Sequence, residues 1–311
     1  MLVRRLAPAV GALAASASLI ALLTGCSRDA IERRMSTADS VRADDPVWKS
    51  TRAPRAQPVS MTEPNMVMVT ARDYSFDTPT EVPAGLTTLR LINDGSEIHN
   101  LQLLKVPGDN GRSAGDLVQA FQHGRPRPDW AVEVGGPNSV APGGTSNVTF
   151  LLEPGEYAVI CPVVGKDGEA HTMKGMVRPL TVSSEGARIA PAPKPDMEMT
   201  LVDYNFGLDG PITAGNRTIR ITNNGKQPHE VLLVRLAQGQ RASDYMTWYR
   251  KQAGPPPGEL MGGLTAIAPG SEATVTADLP AGNYALLCLI PDQSDGRPHA
   301  DHGMIREITI R

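Results

Sequence analysis

The chain has 311 residues and a formal net charge of −3 at pH 7. This length suits two domains of ordinary size, each large enough to form its own core. The mildly acidic charge, without a basic stripe, argues against a nucleic-acid partner.

Residues 1–25 are predicted to be a lipoprotein signal peptide. Two arginines precede an apolar run at residues 7–23, and this run is short for a membrane-spanning helix. The four residues that end at Cys26 resemble the lipobox of bacterial lipoproteins, in which the cysteine is acylated after cleavage. The alternatives are an uncleaved anchor and a plain secretory signal. We expect lipidation at Cys26, which would anchor an exported, periplasmic-side protein to a membrane of the bacterial cell envelope.

Two further segments have compositions typical of linkers. Residues 26–64 are rich in Arg, Asp, Ser, Ala and Pro and show no apolar period, which predicts a disordered tether. Residues 184–196 contain alternating Ala and Pro, which favours an extended spacer. The remaining residues are predicted to form two domains, 65–183 and 197–311.

Short runs of apolar and β-branched residues, bounded by Gly, Pro and Asn, fill each predicted domain. In the first domain the predicted strands are 66–71, 86–93, 100–105, 146–152, 155–161 and 176–182. Many short strands without long helices predict an all-β fold of two tandem Greek-key sandwiches.

One short helix is predicted in each domain, before the strand that leads to a cysteine. Ser113 is the predicted N-cap of a helix at 114–122, and Ser243 is the predicted N-cap of a helix at 244–251. The second helix carries three aromatic side chains at helical spacing: Tyr245, Trp248 and Tyr249. Because they share one face, we expect them to pack in the core rather than to form a stacking platform.

Four residue types recur in the same order in the two predicted domains. The first set is His99, Cys161, His171 and Met176, and the second set is His229, Cys288, His299 and Met304. Equivalent members lie 127 to 130 residues apart, and the repeat extends to segments such as 73–76 and 203–206, so the chain is an internal duplication. Two imidazoles, a thiolate and a thioether form the ligand set of a mononuclear electron-transfer copper.

Cys161 and Cys288 could form a disulfide in an exported protein. They occupy equivalent positions in separate domains, however, and pairing them would bring two cores together at one edge. We therefore expect one free thiol per domain, either as a metal ligand or as a small buried side chain.

The first domain resembles the cupredoxin family of blue copper proteins, plastocyanin and pseudoazurin in particular. The similarity lies in residues 82–85 and the downstream His99, in residues 155–161, and in the spacing from His171 to Met176. The resemblance covers nearly all of both domains. It implies two cupredoxin-like sandwiches with type 1 copper, one or two ions per chain, held by the two sets of four residues.

The loop between the cysteine and the second histidine is longer than in plastocyanin-like sites. Nine residues separate Cys161 from His171, and ten separate the equivalent pair in the second domain. Two alternative ligands, Met173 and His302, lie close to these loops.

The first site is predicted to bind metal more tightly than the second. Asn100 follows His99, whereas Glu230 follows His229. We expect Asn100 to hydrogen-bond locally and to steady the ligand loop, as outer contacts of metal ligands commonly do.

The number of histidines bears on catalysis. Of six histidines, the two predicted sites use four and leave His123 and His302. No histidine adjoins Cys161 or Cys288, and no His-x-His pair occurs. Because catalytic copper sites for oxygen or nitrite need further imidazoles, we expect that the chain is not an enzyme.

The sequence therefore predicts a copper protein that carries electrons between redox proteins of the cell envelope. A metal-free interaction or assembly module of the same fold and a copper delivery protein remain as alternatives. Zinc is a weaker competitor for the same cysteine and histidines, because a thioether contributes little to a zinc site.

Overall fold

The computed structural model describes residues 63–108 and 111–311. The predicted signal peptide, Cys26 and residues 26–62 of the predicted tether lie outside the described residues. We refer to the part up to Arg188 as the first half and to the part from Met197 as the second half; both belong to one compact unit. None of the helices in the described residues is both long enough and apolar enough to span a membrane.

The first half consists of strands and one short helix, which lies between the fourth and fifth strands. In chain order they are β1 (Asn65–Arg72), β2 (Ser75–Asp77), β3 (Glu81–Asn93), β4 (Gln102–Val106), α1 (Ala114–Gln122), β5 (Val132–Gly135), β6 (Thr145–Leu152), β7 (Gly155–Ile160) and β8 (Val177–Arg188).

The second half repeats this order. Its elements are β9 (Met197–Val202), β10 (Asn205–Leu208), β11 (Gly215–Asn223), β12 (His229–Leu236), α2 (Ala242–Lys251), β13 (Gly258–Ile267), β14 (Glu272–Leu279), β15 (Gly282–Leu287), a 3₁₀ turn (His299–His302) and β16 (Ile305–Ile310).

The prediction of an all-β fold is confirmed. In the first half, β3 lies between β1 and β6, and β7 lies between β4 and β8. In the second half, β11 lies between β9 and β14, and β15 lies between β12 and β16. Strands that are distant in sequence thus become neighbours, as in Greek-key sandwiches. Alternate residues of β1 are buried, and such inward side chains form the core between the sheets.

Each helix covers the outer face of a sheet. Leu117 and Phe121 of α1 pack against residues of β4 and β7, and Tyr245 of α2 packs against β12 and β15. Trp248 and Tyr249 pack against the same apolar residues but are only partly buried. Of the three aromatic residues expected in the core, only Tyr245 is fully buried there.

The two helices begin differently. Ser113 caps α1 as predicted, since its side chain accepts a hydrogen bond from the Asp116 N–H. The prediction that Ser243 caps α2 is wrong, because the N-cap is Arg241. At that end the Asp244 carboxylate accepts from the Arg241 N–H at 2.8 Å, and this bond fixes the first turn without a serine cap.

The predicted spacer at 184–196 begins later than expected, because β8 continues to Arg188. Gly85 is paired with Arg188. A Cβ at Gly85 would lie 2.1 Å from the Arg188 carbonyl oxygen, and the φ of Gly85 is +116°. This close approach requires glycine at residue 85.

The two halves join through equivalent strands. β6 and β14 are antiparallel, and Val148 is paired with its own equivalent, Val275. Pro137 likewise forms a bridge with its equivalent, Leu264. Pairing of equivalent residues is the property of a two-fold interface, so the duplicated halves associate like the two subunits of a symmetric dimer.

Candidate metal centres

The first set of predicted ligands converges in the structure. His99 lies three residues before the start of β4, Cys161 follows the end of β7, and His171 lies in the loop that returns to β8. The Nδ1 atoms of His99 and His171 are 3.1 Å apart, and Cys161 Sγ lies 3.8 Å from His99 Nδ1 and 3.6 Å from His171 Nδ1. All three side chains are fully buried.

The backbone of the ligand loop closes on itself and so positions these groups. The His171 N–H donates to the Val163 carbonyl at 2.8 Å, and the Met176 N–H donates to the His171 carbonyl at 2.9 Å. The Cys161 N–H donates to the Met176 carbonyl at 3.1 Å. Met176 is itself fully buried, so all four predicted residues of the first set lie in one closed region.

Carboxylates hold the far side of both imidazoles. His99 Nε2 lies 3.0 Å from Asp73 Oδ1, and His171 Nε2 lies 2.9 Å from Glu97 Oε2. A carboxylate can only accept, so each Nε2 carries the proton and each Nδ1 presents a lone pair. Burial opposes ionisation of Asp73, but hydrogen bonds from Ser96 and His99 outweigh it and hold the pKa of Asp73 well below its usual range.

This arrangement fits a bound metal ion. Burial lowers the pKa of His171, which favours the neutral imidazole that metals require. The two Nδ1 atoms are 3.1 Å apart, and their lone pairs repel each other unless a cation lies between them. The thiol of Cys161 has one proton and can donate a hydrogen bond to only one of these nitrogens. Burial also raises the pKa of Cys161 to about 12, so a metal ion would displace the thiol proton on binding.

The second set converges in the same way. The Nδ1 atoms of His229 and His299 are 3.0 Å apart, and Cys288 Sγ lies 3.9 Å from His229 Nδ1 and 3.4 Å from His299 Nδ1. The Cys288 N–H donates to the carbonyl of the buried Met304 at 3.2 Å. Cys161 and Cys288 are both free thiols.

The imidazoles of the second set are held unequally. His229 Nε2 lies 2.9 Å from Asp203 Oδ1. His299 Nε2 is buried without a hydrogen-bond partner in the described residues, and the nearest carboxylate oxygen, Asp292 Oδ2, is 3.7 Å away. Burial, together with the neighbouring His229, lowers the pKa of His299 to about 4, so this imidazole is also neutral at neutral pH.

The backbone also contacts each cysteine sulfur. The Asn100 N–H donates to Cys161 Sγ and the Glu230 N–H donates to Cys288 Sγ, both at 3.5 Å. The local hydrogen bond of Asn100 thus comes from its backbone, and its side-chain Oδ1 has no partner among the described residues. Burial raises the pKa of Glu230 to about 7.

Sequence reasoning missed the carboxylates that hold the imidazoles. The recurrence of Asp-Tyr at 73–74 and 203–204 was a usable signal, because each Asp binds the first histidine and each Tyr packs edge-on against the second. Glu97 had no such signal, because the equivalent residue in the second half is Gln227.

The remaining histidines and the alternative ligands lie elsewhere. His302 Nε2 is 3.2 Å from Asp295 Oδ1 and joins a group with Asp292 rather than with the cysteine. Met173 is exposed, and the exposed His123 accompanies the C-terminus of α1, with its Nδ1 2.7 Å from the Gln119 carbonyl oxygen.

No protein-family model matches the chain, and no curated protein matches it. Among solved structures, a reduced auracyanin from Roseiflexus castenholzii is similar, with 22% identity over 39% of this chain and 98% of that chain and a TM-score of 0.28. A blue copper oxidase from Nitrosomonas europaea is 14% identical over 79% of this chain and 86% of that chain, with a TM-score of 0.24. A copper nitrite reductase from Thermus scotoductus is 15% identical over 79% of this chain and 61% of that chain, with a TM-score of 0.21.

The strand pairing gives the described chain an all-β fold, and its two buried His–Cys–His groups are candidate metal sites. These TM-scores are low, so the strand order and register described above define the fold.

The prediction that the chain is not an enzyme is wrong. The similar structures include a blue copper oxidase, a copper nitrite reductase and a multicopper oxidase, and each matches 79% of this chain. The prediction depended on counting histidines, and a count of one residue type does not establish that a chain lacks catalytic activity. His302, which the count left over, lies with Asp292 and Asp295 in a third group of metal-ligating residue types.

Proposed function

We propose that this chain is a copper-binding electron carrier with one type 1 copper in each half. The observation that carries this proposal is the pair of facing Nδ1 atoms beside a buried thiol, with a distance of 3.1 Å between them in the first half and 3.0 Å in the second. A neutral imidazole pair with a thiolate and a nearby thioether suits an electron-transfer copper. Copper bound there would supply a one-electron step between Cu(II) and Cu(I).

The protein's own residues would keep that step fast. Asp73 fixes the tautomer and the orientation of His99, and Glu97 does the same for His171. The N–H of Asn100 points at the sulfur of Cys161. All of the ligating side chains are buried, so water is excluded and little has to rearrange when the charge of the ion changes.

The proposal extends to the location and partners of the protein. We propose that a lipid on Cys26 tethers it to a membrane of the bacterial envelope on the exported, periplasmic side, and that it exchanges electrons with redox proteins there. The lipobox-like residues before Cys26 support this tether.

The first test is reconstitution of the full chain with Cu(II). We expect an intense visible absorption from thiolate-to-copper charge transfer, which dithionite bleaches and a mild oxidant restores. Cys161→Ser and Cys288→Ser should each remove the absorption of one half, and the double variant should be colourless, because a hydroxyl is a poor ligand for a soft metal.

The matched control is His123→Gln, which alters an exposed histidine outside both groups. It should keep the full absorption. Colour in the double cysteine variant, or copper bound to the unaltered protein without charge-transfer absorption, would contradict the proposal. Near-UV circular dichroism of the metal-free variants shows whether each retains its fold.

The tether is tested separately. Cys26→Ala should move the protein from the membrane fraction into the soluble exported fraction, because no acyl chain is then attached. Continued membrane association of this variant after a high-salt wash would show that lipid on Cys26 is not the anchor.

A further inference from the structure

A cleft of about 1120 Å³ lies where the two halves meet. It contacts the residue that follows the first histidine in each half, Asn100 and Glu230, and also residues that follow each cysteine. Most of its wall is apolar. Ligand sites in proteins are typically concave and mainly apolar, with a few placed polar groups, and this cleft has that form.

Glu230 places a carboxylate in the wall of the cleft. The residue is only 7% exposed. Its Oε1 accepts a hydrogen bond from the Leu289 N–H at 2.9 Å, and its Oε2 accepts one from Asn138 Nδ2 at 3.2 Å. None of the ion pairs in the described ranges includes Glu230. A buried carboxylate without a cationic partner is costly, so a bound cation would stabilise it.

Three aromatic side chains of α2 line the cleft as well: Tyr245, Trp248 and Tyr249. The ring centroids of Tyr245 and Trp248 are 5.3 Å apart at an interplanar angle of 48°. Trp248 Nε1 donates to the Gly254 carbonyl at 2.9 Å, which holds the indole in place. Aromatic faces attract cations, most strongly where water is excluded.

The equivalent positions of the first half hold no carboxylate and only one aromatic side chain. The residue equivalent to Glu230 is Asn100, and the positions equivalent to the three aromatic residues hold Leu117, Ala120 and Phe121. The charge of the whole cleft also favours a cation. Four glutamates line it against two basic residues, and one of those bases, Arg127, is already paired with Glu133 at 2.7 Å.

We propose that the second-half end of this cleft binds an apolar organic cation, of the quaternary ammonium or phosphonium type, between the Glu230 carboxylate and the aromatic face of α2. The apolar walls would hold the body of the ligand, and Glu230 with the aromatic rings would hold its charge. A neutral apolar molecule would gain only the wall contacts, and an anion would be repelled.

The test uses the metal-free full chain and two probes of nearly the same shape but opposite charge, tetraphenylphosphonium and tetraphenylborate. Equilibrium dialysis at about pH 8, where free glutamate is ionised, measures both affinities. Trp248 fluorescence reports whether the probe lies at this end of the cleft, and Trp248→Phe identifies its share of the signal. We expect the cation to bind at least about ten-fold more tightly than the anion.

Glu230→Gln keeps the shape and a hydrogen-bond acceptor but removes the charge, and it should weaken binding of the cation by about ten-fold. The matched control is Glu259→Gln. Glu259 also lines the cleft, but it lies on the rim, 3.8 Å from Arg235, and its replacement should change the affinity by less than about three-fold. Tyr249→Leu, a second variant that leaves Glu230 in place, should also weaken binding of the cation.

Several outcomes would overturn the proposal. Equal affinity for both probes, binding of neither, or a cation affinity that Glu230→Gln and Tyr249→Leu both leave unchanged would each show that the cleft does not select organic cations. A cation that binds without altering Trp248 fluorescence would place the site elsewhere.

Discussion

The two halves carry the same four ligand types, but they hold the second imidazole in different ways. In the first half, Glu97 lies 2.9 Å from His171 Nε2. In the second half, Gln227 takes the equivalent position, and its Nε2 donates to Asp292 at 2.9 Å rather than engaging His299. The duplication therefore preserved the candidate ligands and changed the side chain that contacts the second imidazole.

The carboxylate near His299 comes from a different part of the chain. Asp292 belongs to the loop after Cys288, and its Oδ2 accepts from the Tyr204 hydroxyl at 2.6 Å as well as from Gln227. Hydrogen bonds from Ser294, Tyr204 and Gln227 hold the pKa of Asp292 well below its usual range. Asp292 therefore stays negatively charged, but its Oδ2 already accepts hydrogen bonds from Tyr204 and Gln227. This oxygen lies 3.7 Å from His299 Nε2.

This difference changes the reason for ranking the two sites. The stronger hold on metal in the first half was expected from a local hydrogen bond of Asn100, whose side-chain Oδ1 has no partner among the described residues. The backbone N–H contact to the cysteine sulfur is 3.5 Å in both halves, so it does not explain a difference in metal affinity between them. Partners of a ligating histidine commonly alter metal affinity by about 10–100-fold, so we now expect Glu97 to be the residue that favours the first site.

The largest expected effect comes from the part that the halves share. A Cβ at Gly95 would lie 2.4 Å from Asp73 Oδ1 and 2.7 Å from His99 Nε2, and a Cβ at Gly225 would lie 2.5 Å from His229 Nε2. Gly95→Ala and Gly225→Ala should each displace the Asp–His pair and lower Cu(I) affinity in their own half by about 100-fold. Competition with a Cu(I) chelator measures the change.

Gly210→Ala is the matched control, because a Cβ at Gly210 meets nothing within 4 Å. It should leave both affinities unchanged. If Gly95→Ala binds Cu(I) as tightly as the unaltered protein, the Asp73–His99 contact does not matter for the metal site. A loss confined to one of the two alanine variants would show that the halves differ in this shared contact as well.

The next effect tests the contact in which the halves differ. Glu97→Gln removes the charge that orients His171 and should lower the Cu(I) affinity of the first half by about ten-fold. Asp292→Asn should change the second half by less than about three-fold, because Asp292 is beyond hydrogen-bond distance of His299 Nε2. The same chelator competition, with the other half inactivated by its Cys→Ser change, separates the two values.

A larger loss in Asp292→Asn than in Glu97→Gln would reverse the ranking of the two halves. Equal losses would mean that a carboxylate acts on these imidazoles through its charge alone, regardless of a direct hydrogen bond.

The sequence was sufficient for the features that local patterns encode. Alternating burial along β1 and the cap of α1 by Ser113 depend on neighbouring residues, and the recurrence of the ligands is visible in one reading of the chain. The short strand Val132–Gly135 was missed, because four residues between proline-containing segments show too little alternation to be recognised.

Contacts between distant residues could not be predicted from the sequence. Glu97 and His171 are 74 residues apart, and nothing in the sequence selects Glu97 among the other acidic residues. The pairing of Val148 with Val275 was equally hidden, since the alternation of β6 fits an exposed edge as well as an edge joined to another strand. The cleft between the halves follows from that pairing and was therefore also unforeseen.

The smallest expected effect tests whether the scaffold itself is equivalent in the two halves. Tyr157 and Tyr284 are buried, and their hydroxyls donate to the carbonyls of Glu153 at 2.7 Å and Pro280 at 2.8 Å. Tyr→Phe at either position removes one such bond and should lower the free energy of unfolding by about 1 kcal/mol, equally in both halves. Urea unfolding of the metal-free full chain measures it, and Phe206→Leu, which removes a buried ring without a hydrogen bond, separates loss of packing from loss of a bond. A cost that differs by more than about 1 kcal/mol between the two Tyr→Phe variants would show that the halves diverged in their scaffold as well as around the second imidazole.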